Sequence, residues 1–281
     1  MGLREMLYRE LKACMIAFAT MSILPVYKFI KIDSEDYKKY SSHAAKYFSY
    51  LGLVLACIIL SLNKIAELAY YRISPFFPGL DFLSDSLNSL FSGLASLILL
   101  ACLSRFMHLD ALADLVDAWA SSFDIERRQA VLKDPHLGSF AVSSLFFCLT
   151  LYLLLFAALH YQEKEIFLLW VLVFSRFISY CCTLSKEKAI HEGLGSSFIT
   201  TFRPMAFCIS LIPLLLGFCS ISFRLSLVPL MLFSLTQLLV FFLSFLLFKK
   251  LCRVIGGLNG DILGTILTVS EILCLCTVVL M

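Results

Sequence analysis

Residues Met205–Phe223 read MAFCISLIPLLLGFCSISF, and after the single residue Arg224, Leu225–Phe248 read LSLVPLMLFSLTQLLVFFLSFLLF. Each run reaches the roughly 20 apolar residues that a helix needs to cross a bilayer. Hydrocarbon offers no partner to a backbone N–H or C=O, so a spanning run of this kind is helical. Five more candidate spans lie outward from this pair: Tyr47–Leu62, Leu87–Leu103, Ser139–Leu159, Ile166–Leu184 and Ile262–Met281. The expected fold is therefore all-α, a polytopic membrane helix bundle of about seven spanning helices in one integral membrane domain, residues 1–281. The one-residue link at Arg224 predicts a tight helical hairpin. The N-terminus differs. Met1–Lys12 mixes charge with Leu, Met and Tyr, as an interfacial amphipathic helix does. Ala13–Val26, interrupted by Pro25, is too short to span, so it is expected to be re-entrant or to lie flat. It lacks a small-residue cleavage site and is not read as a signal peptide.

Composition agrees with this class. Hydrophobic residues make up 60% of the 281 and charged residues 15%, against about 25% charged in soluble domains. Mean hydropathy is +0.90. A net charge of +3 gives no footing for nucleic acid. The 11 cysteines fall mostly in apolar runs, without Cys-x-x-Cys pairs or zinc spacing to His, and are read as small buried hydrophobes.

Basic residues orient the chain. Of 23 Lys and Arg, only Lys64, Arg72, Lys164 and Arg224 fall in one set of loops, and Arg176 lies inside a span. The other eighteen flank the spans in segments 1–46, 104–138, 185–203 and 249–261. The positive-inside rule places those segments in the cytoplasm, with the N-terminus inside and the C-terminus outside.

The same segments carry the polar chemistry. In His108-Leu109-Asp110-Ala111-Leu112-Ala113-Asp114-Leu115-Val116-Asp117-Ala118, three aspartates stand at i, i+4 and i+7. On a helix these share one face, where like charges repel. One reading is a solvated acidic face on an interfacial helix. The other is a cation between the carboxylates. Hard oxygen donors favour Mg²⁺, which commonly holds substrate phosphates. His108 is a candidate general base or nucleophile. Glu126 and Arg127 read as a solvated face, while Arg128 and Lys133 are cations available to anionic phosphates. Gly193-Leu194-Gly195 and Gly256-Gly257-Leu258-Asn259-Gly260-Asp261 allow close backbone approach to phosphate. Asp261 suits either a helix N-cap or, beside a metal, a further ligand. Arg176 and Glu271 lie at membrane depth, where ionisable groups pair with each other or line a polar pocket.

These segments, in this order, resemble the cobalamin-5′-phosphate synthase family, also called adenosylcobinamide-GDP ribazoletransferases. The family signature His-x-Asp-Gly-x-x-Asp-x-x-Asp-Gly is similar to His108–Ala118, with Ala111 and Ala118 in place of glycines. Lys133-Asp134-Pro135-His136-Leu137-Gly138 looks like the counterpart of its Arg-Asp-Ser-x-x-Gly element. Glu192–Gly195 matches Glu-Gly-Leu-Gly, and Gly260, Asp261 and Gly264 match Gly-Asp-x-x-Gly. Ser175-Arg176, Leu24-Pro25-Val26 and Glu271 complete the likeness, which runs from about residue 16 to the end. Thr268 stands where a second glutamate is frequent. The resemblance implies a transferase that joins GDP-activated adenosylcobinamide to α-ribazole or its 5′-phosphate and releases GMP. It implies a bacterial inner membrane location with the active face in the cytoplasm, beside other cobalamin-assembly enzymes. The expected metal ligands are Asp110, Asp114, Asp117 and Asp261 for Mg²⁺, with Asp134 a further candidate. The expected substrate-binding residues are Lys133, Asp134, Arg176, Glu192, Gly193, Gly195, Asn259, Gly260 and Glu271, with His108 as base. Two other classes fit parts of the pattern. A CDP-alcohol lipid phosphotransferase also spaces aspartates at a membrane surface, but with an Ala-Arg pair that this run lacks. A precursor or ion transporter would place acidic residues near the bilayer midplane.

Overall fold

A computed structural model describes residues 3–73, 85–185, 187–190 and 193–281. Twelve α-helices are seen among them, with no strand longer than an isolated bridge. Six stretches are long and apolar enough to cross a membrane: Ser34–Tyr70, Asp85–Leu103, Ser139–Tyr161, Pro204–Ser222, Leu227–Ile255 and Gly260–Leu280. The seventh expected span is the 17-residue helix Phe167–Thr183. The chain is a polytopic helical bundle.

The N-terminal segment is one helix, α1 (Leu3–Met21), rather than an amphipathic piece followed by a separate re-entrant one. Its inner face buries Ala13, Ile16, Ala17 and Met21. It is pinned to α2 (Ser34–Ala44) by Lys12 Nζ and Asp36 Oδ2 at 2.5 Å, and Glu10 pairs with Lys46. Packing against the bundle makes a continuous helix more favourable than a break at Lys12.

The crossing helices are α3 (Phe48–Ile73), α4 (Asp85–Leu103), α7 (Ser139–Tyr161), α8 (Phe167–Thr183), α10 (Pro204–Ser222), α11 (Leu227–Ile255) and α12 (Gly260–Leu280). Helix α8 is the hub. All its residues are buried except Leu169 and Cys181, including the polar Ser175, Arg176, Ser179 and Thr183. Helices α3, α10, α11 and α12 pack around it. The short link expected at Arg224 is present, residues 223–226, but the hairpin is not tight: α10 packs on α8 and α3, and α11 on α12 and α8. The reason is Trp170 of α8, which wedges between Phe218 of α10 and Phe233 of α11 at ring distances of 5.9 and 5.6 Å. Its indole Nε1 donates to Gln237 Oε1 at 3.0 Å. Outer faces carry exposed Phe146, Phe147, Leu216, Leu238 and Phe242, the surface a lipid solvent requires.

Helix α4 does not stop at the aspartate run but turns into it. Arg105 and Phe106 adopt left-handed φ of 59° and 57°, which costs about 1–2 kcal/mol for each non-glycine residue. Phe106 N closes back on Ala101 O at 2.8 Å. The chain then restarts as α5 (Met107–Ser121), followed by the short α6 (Ile125–Val131). Helix α5 runs antiparallel to the first turns of α12. Thr268 Oγ1 donates to His108 O at 3.2 Å, and Thr265 Oγ1 to Ala111 O at 3.1 Å. A Cβ on Gly264 would fall 2.6 Å from Ala111 Cβ. The alanine at 111 therefore fits because its neighbour is glycine.

Candidate active site

Four basic-flanked segments meet at one end of the bundle and enclose a cavity of about 380 Å³. Helix α5 supplies His108 and Asp110, and the end of α6 supplies Gln129 and Lys133. The segment containing α9 (Leu194–Ser197) supplies Gly193, Gly195 and Ser196. Asn259, Gly260 and Asp261 open α12 beside them.

Local sequence explains this convergence. Helix α11 ends at Gly256, whose φ of 89° reverses the chain at little steric cost. Leu258 then forms a parallel bridge, its N–H donating to Lys188 O at 2.8 Å and its carbonyl accepting from Ile190 N at 3.0 Å. That bridge lays 193–198 against the start of α12. The contact is backbone on backbone: a Cβ on Gly195 would meet Gly260 N at 2.3 Å. Asn259, not Asp261, caps α12, with Oδ1 accepting from Ile262 N at 3.0 Å. The side-chain amide also donates to Asp261 Oδ2 at 2.8 Å. Because the cap role is taken, Asp261 turns to the cavity. The first turn of α12, the positive end of a helix dipole, borders the same space.

The three aspartates of α5 share a face but not an environment. Asp110 is exposed, while Asp114 and Asp117 are half-buried. Asp117 Oδ2 accepts from Gly138 N at 3.0 Å. Asp110 and Asp114 take no hydrogen bond and pair with no cation among the described residues. Burial pushes the Asp114 carboxyl above the usual range, and the charges of Asp110 and Asp117 push it further. Asp261 lies within electrostatic reach of Asp114 and Asp110. Among the described residues no three His, Cys, Asp or Glu close into a ready metal cage. Of the four expected metal ligands, Asp110 and Asp261 line the cavity, and Asp114 and Asp117 do not. Open, uncompensated carboxylates are the donor type that Mg²⁺ takes, one or two at a time, with positions kept for water and phosphate.

Other expected residues fall elsewhere. Arg176 and Glu271 pair with each other at 2.6 Å, buried in the bundle and outside the main cavity. Asp134 is exposed and bonded to His136 Nδ1 at 2.6 Å, which holds its carboxyl below the usual range. Glu192 lies outside the described residues. Arg128 is not available to phosphate. It is buried, with Nε donating to Ser122 O at 2.6 Å and Nη1 to Val254 O at 2.9 Å, and it anchors α6 to the end of α11. Thr20, Met21 and Phe198 complete the cavity wall and went unread in the sequence. Their only signal was proximity to Leu24-Pro25 and to the glycine pair at 193–195.

The family profile described as Cobalamin-5-phosphate synthase matches residues 13–279. The chain belongs to this family. Relatives named adenosylcobinamide-GDP ribazoletransferase include one from Geotalea daltonii, 28% identical over 276 residues, covering 96% of this chain and 97% of the relative. Another, from Thermoanaerobacter pseudethanolicus, is 26% identical over 264 residues, covering 94% and 95%. A third, from Saccharolobus islandicus, is 30% identical over 227 residues, covering 77% and 83%. No solved structure matches the chain. Family membership makes this protein a transferase of cobalamin biosynthesis.

Proposed function

We propose that the chain joins GDP-activated adenosylcobinamide to α-ribazole or its 5′-phosphate in a Mg²⁺-dependent reaction at the cytoplasmic face of a bacterial inner membrane. The observation that carries the proposal is one cavity in a chain of this family. It gathers α5 carboxylate, Lys133, the backbone at Gly195 and the start of α12. In the reaction the ribazole hydroxyl oxygen bonds to the cobinamide-side phosphorus. The bond from that phosphorus to the bridging oxygen breaks, GMP leaves with the oxygen, and a base takes the hydroxyl proton.

Each residue has a part. Lys133 at the cavity mouth offsets phosphate charge, as do the N–H groups opening α12. Gly195 lets the backbone at 193–196 lie directly on Gly260 and narrows the phosphate end. Met21, Met107, Leu132 and Phe198 wall the space and keep water from competing with the ribazole hydroxyl. His108, at the buried end of the cavity, is the proton acceptor; burial and the Arg176 charge lower its imidazole pKa to about 3, so it stands neutral and takes the proton only as the hydroxyl oxygen bonds to phosphorus. Asp110, Asp114, Asp117 and Asp261 are the residues that would hold Mg²⁺, which polarises the pyrophosphate and neutralises charge on the leaving group when bound.

The test is GMP release by the purified chain in lipid nanodiscs given GDP-activated cobinamide, α-ribazole phosphate and Mg²⁺. Release that stops with chelator, and falls on the order of a hundredfold or more in Asp114→Asn, is the expected result. Release from a CDP-activated lipid donor instead would replace this reading with lipid phosphotransfer. Full turnover of Asp114→Asn in saturating Mg²⁺ would sink the carboxylate assignment.

A further inference from the structure

A second cavity, of about 20 Å³, lies between α4, α5, α7 and α12. Its polar lining is Ser104, His108, Tyr152, Thr268 and Glu271, and His108 is the one residue that also lines the larger cavity. The groups around it are held firmly. Glu271 Oε1 accepts from Arg176 Nη1 at 2.6 Å, and Oε2 accepts from the Tyr152 hydroxyl at 2.6 Å. Tyr152 is stacked on Phe156 with ring centroids 5.7 Å apart. Thr268 holds the His108 carbonyl from α12 at 3.2 Å. Ser104 Oγ donates to Leu100 O at 2.7 Å.

Within the polar lining of this cavity the imidazole of His108 is the exception; outside the lining, Arg176 Nε and Nη2 also lack a partner among the described residues. His108 is 7% exposed, yet its ring makes no hydrogen bond to protein among the described residues. A space of this size holds one water, and the polar lining supplies the two to four partners such a water needs. We infer that one ordered water in the small cavity links the His108 imidazole to the Tyr152–Glu271 pair and fixes the ring toward the substrate cavity. Tyr152 and Glu271 are then positioning residues for the transfer. The partner of one ring nitrogen decides the tautomer, and so decides what the other nitrogen presents. The Arg176 charge keeps the Glu271 carboxylate in place as the fixed end of the link. The kinetic consequence rests on the proposed transfer, whereas the link itself does not.

Two variants test it by different routes. Tyr152→Phe removes the hydroxyl but keeps the stacked ring and the Arg176–Glu271 pair. Ala101→Val fills the cavity, which Ala101 lines, without touching a polar group. The readouts are the histidine ring ¹⁵N spectrum in nanodiscs without substrate, kcat and KM, and the thermal midpoint. The His108 signal is identified by its loss in His108→Asn. The wild type is expected to show a single His108 tautomer and both variants a mixture. In both, kcat is expected to fall about tenfold to a hundredfold with KM nearly unchanged. A single tautomer and near-wild-type kcat in both variants would overturn the inference. A shift in Tyr152→Phe alone would remove the water and leave a direct contact. If Tyr152→Phe does not fold, Ala101→Val decides by itself. A tautomer shift in a chain with no turnover would reject the transfer and keep the link.

Discussion

Gly195→Ala puts the convergence of segments under direct test. The added Cβ falls 2.3 Å from Gly260 N, 2.5 Å from Gly260 Cα and 2.7 Å from Asn259 C, all backbone atoms. Ordinary contact begins at 3.4 Å, so the two backbones must part by about 1 Å, a displacement that costs on the order of a hundredfold when it misplaces groups at a reacting centre. The start of α12 is held by the Asn259 cap and by the bridge at Leu258. Helix α9 has only four residues, so it is the part that yields. Overpacking of this kind costs about 1–3 kcal/mol. Gly193→Ala is the internal control for stability. Nothing lies within 4 Å of its Cβ and its φ of −177° suits any residue, so its thermal midpoint should match the wild type. The assay pairs GMP release with thermal unfolding in nanodiscs. Near-wild-type turnover and midpoint in Gly195→Ala, or equal destabilisation in Gly193→Ala, would refute the reasoning.

Four further outcomes are expected. Asn259→Ala removes the cap on Ile262 N and should lower stability by about 1 kcal/mol, whereas Asn259→Asp should retain most of it, as read by thermal unfolding. Arg176→Met alone leaves Glu271 buried and unpaired and should cost about 3–5 kcal/mol; the double change with Glu271→Leu should cost less than the single one. Asp114 favours its protonated form in the fold, so its contribution to stability is present below the ordinary carboxylate pKa and lost as pH rises through the raised value. In chelator, Asp114→Asn should therefore be at least as stable as wild type at neutral pH, with the difference vanishing in acid; a less stable variant at neutral pH would contradict this. Gly138→Ala places a Cβ 2.2 Å from the Asp117 carboxylate oxygens and should raise the Mg²⁺ concentration needed for half-maximal GMP release.

The bundle was legible because its signal is local. Runs such as Leu225–Phe248 carry their length and hydropathy in one stretch, and the basic segments between them alternate in register with the spans. The meeting of segments at one cavity was legible in part: Gly193, Gly195, Asp110, Asp261 and His108 all fall on the basic side and line it, whereas Asp114 and Asp117 do not line it. Partner choice was not legible. Nothing local says that Arg128 will spend its guanidinium on Ser122 O and Val254 O, or that Asn259 rather than the neighbouring Asp261 will cap α12. The hairpin at Arg224 is looser than expected for a similar reason, because Trp170, more than fifty residues earlier in the chain, packs between α10 and α11. Tyr152 reads in sequence as one more aromatic in a span, and only the fold sets its hydroxyl on Glu271.

The Arg176–Glu271 pair also bears on biogenesis. Its members are separated by 95 residues, a stretch that takes roughly 5 to 20 s to synthesise. Through that interval α8 holds a guanidinium with no carboxylate to meet it, at a cost on insertion of about 2.5–3.5 kcal/mol. At 17 residues α8 is also short for a span. It is therefore poorly suited to lodge in lipid by itself and is held in place by the helices around it. The arrival of α12 delivers the counter-charge and one wall of the cavity in the same event. A chain that ends before α12 lacks both the partner of Arg176 and the α12 wall of the cavity.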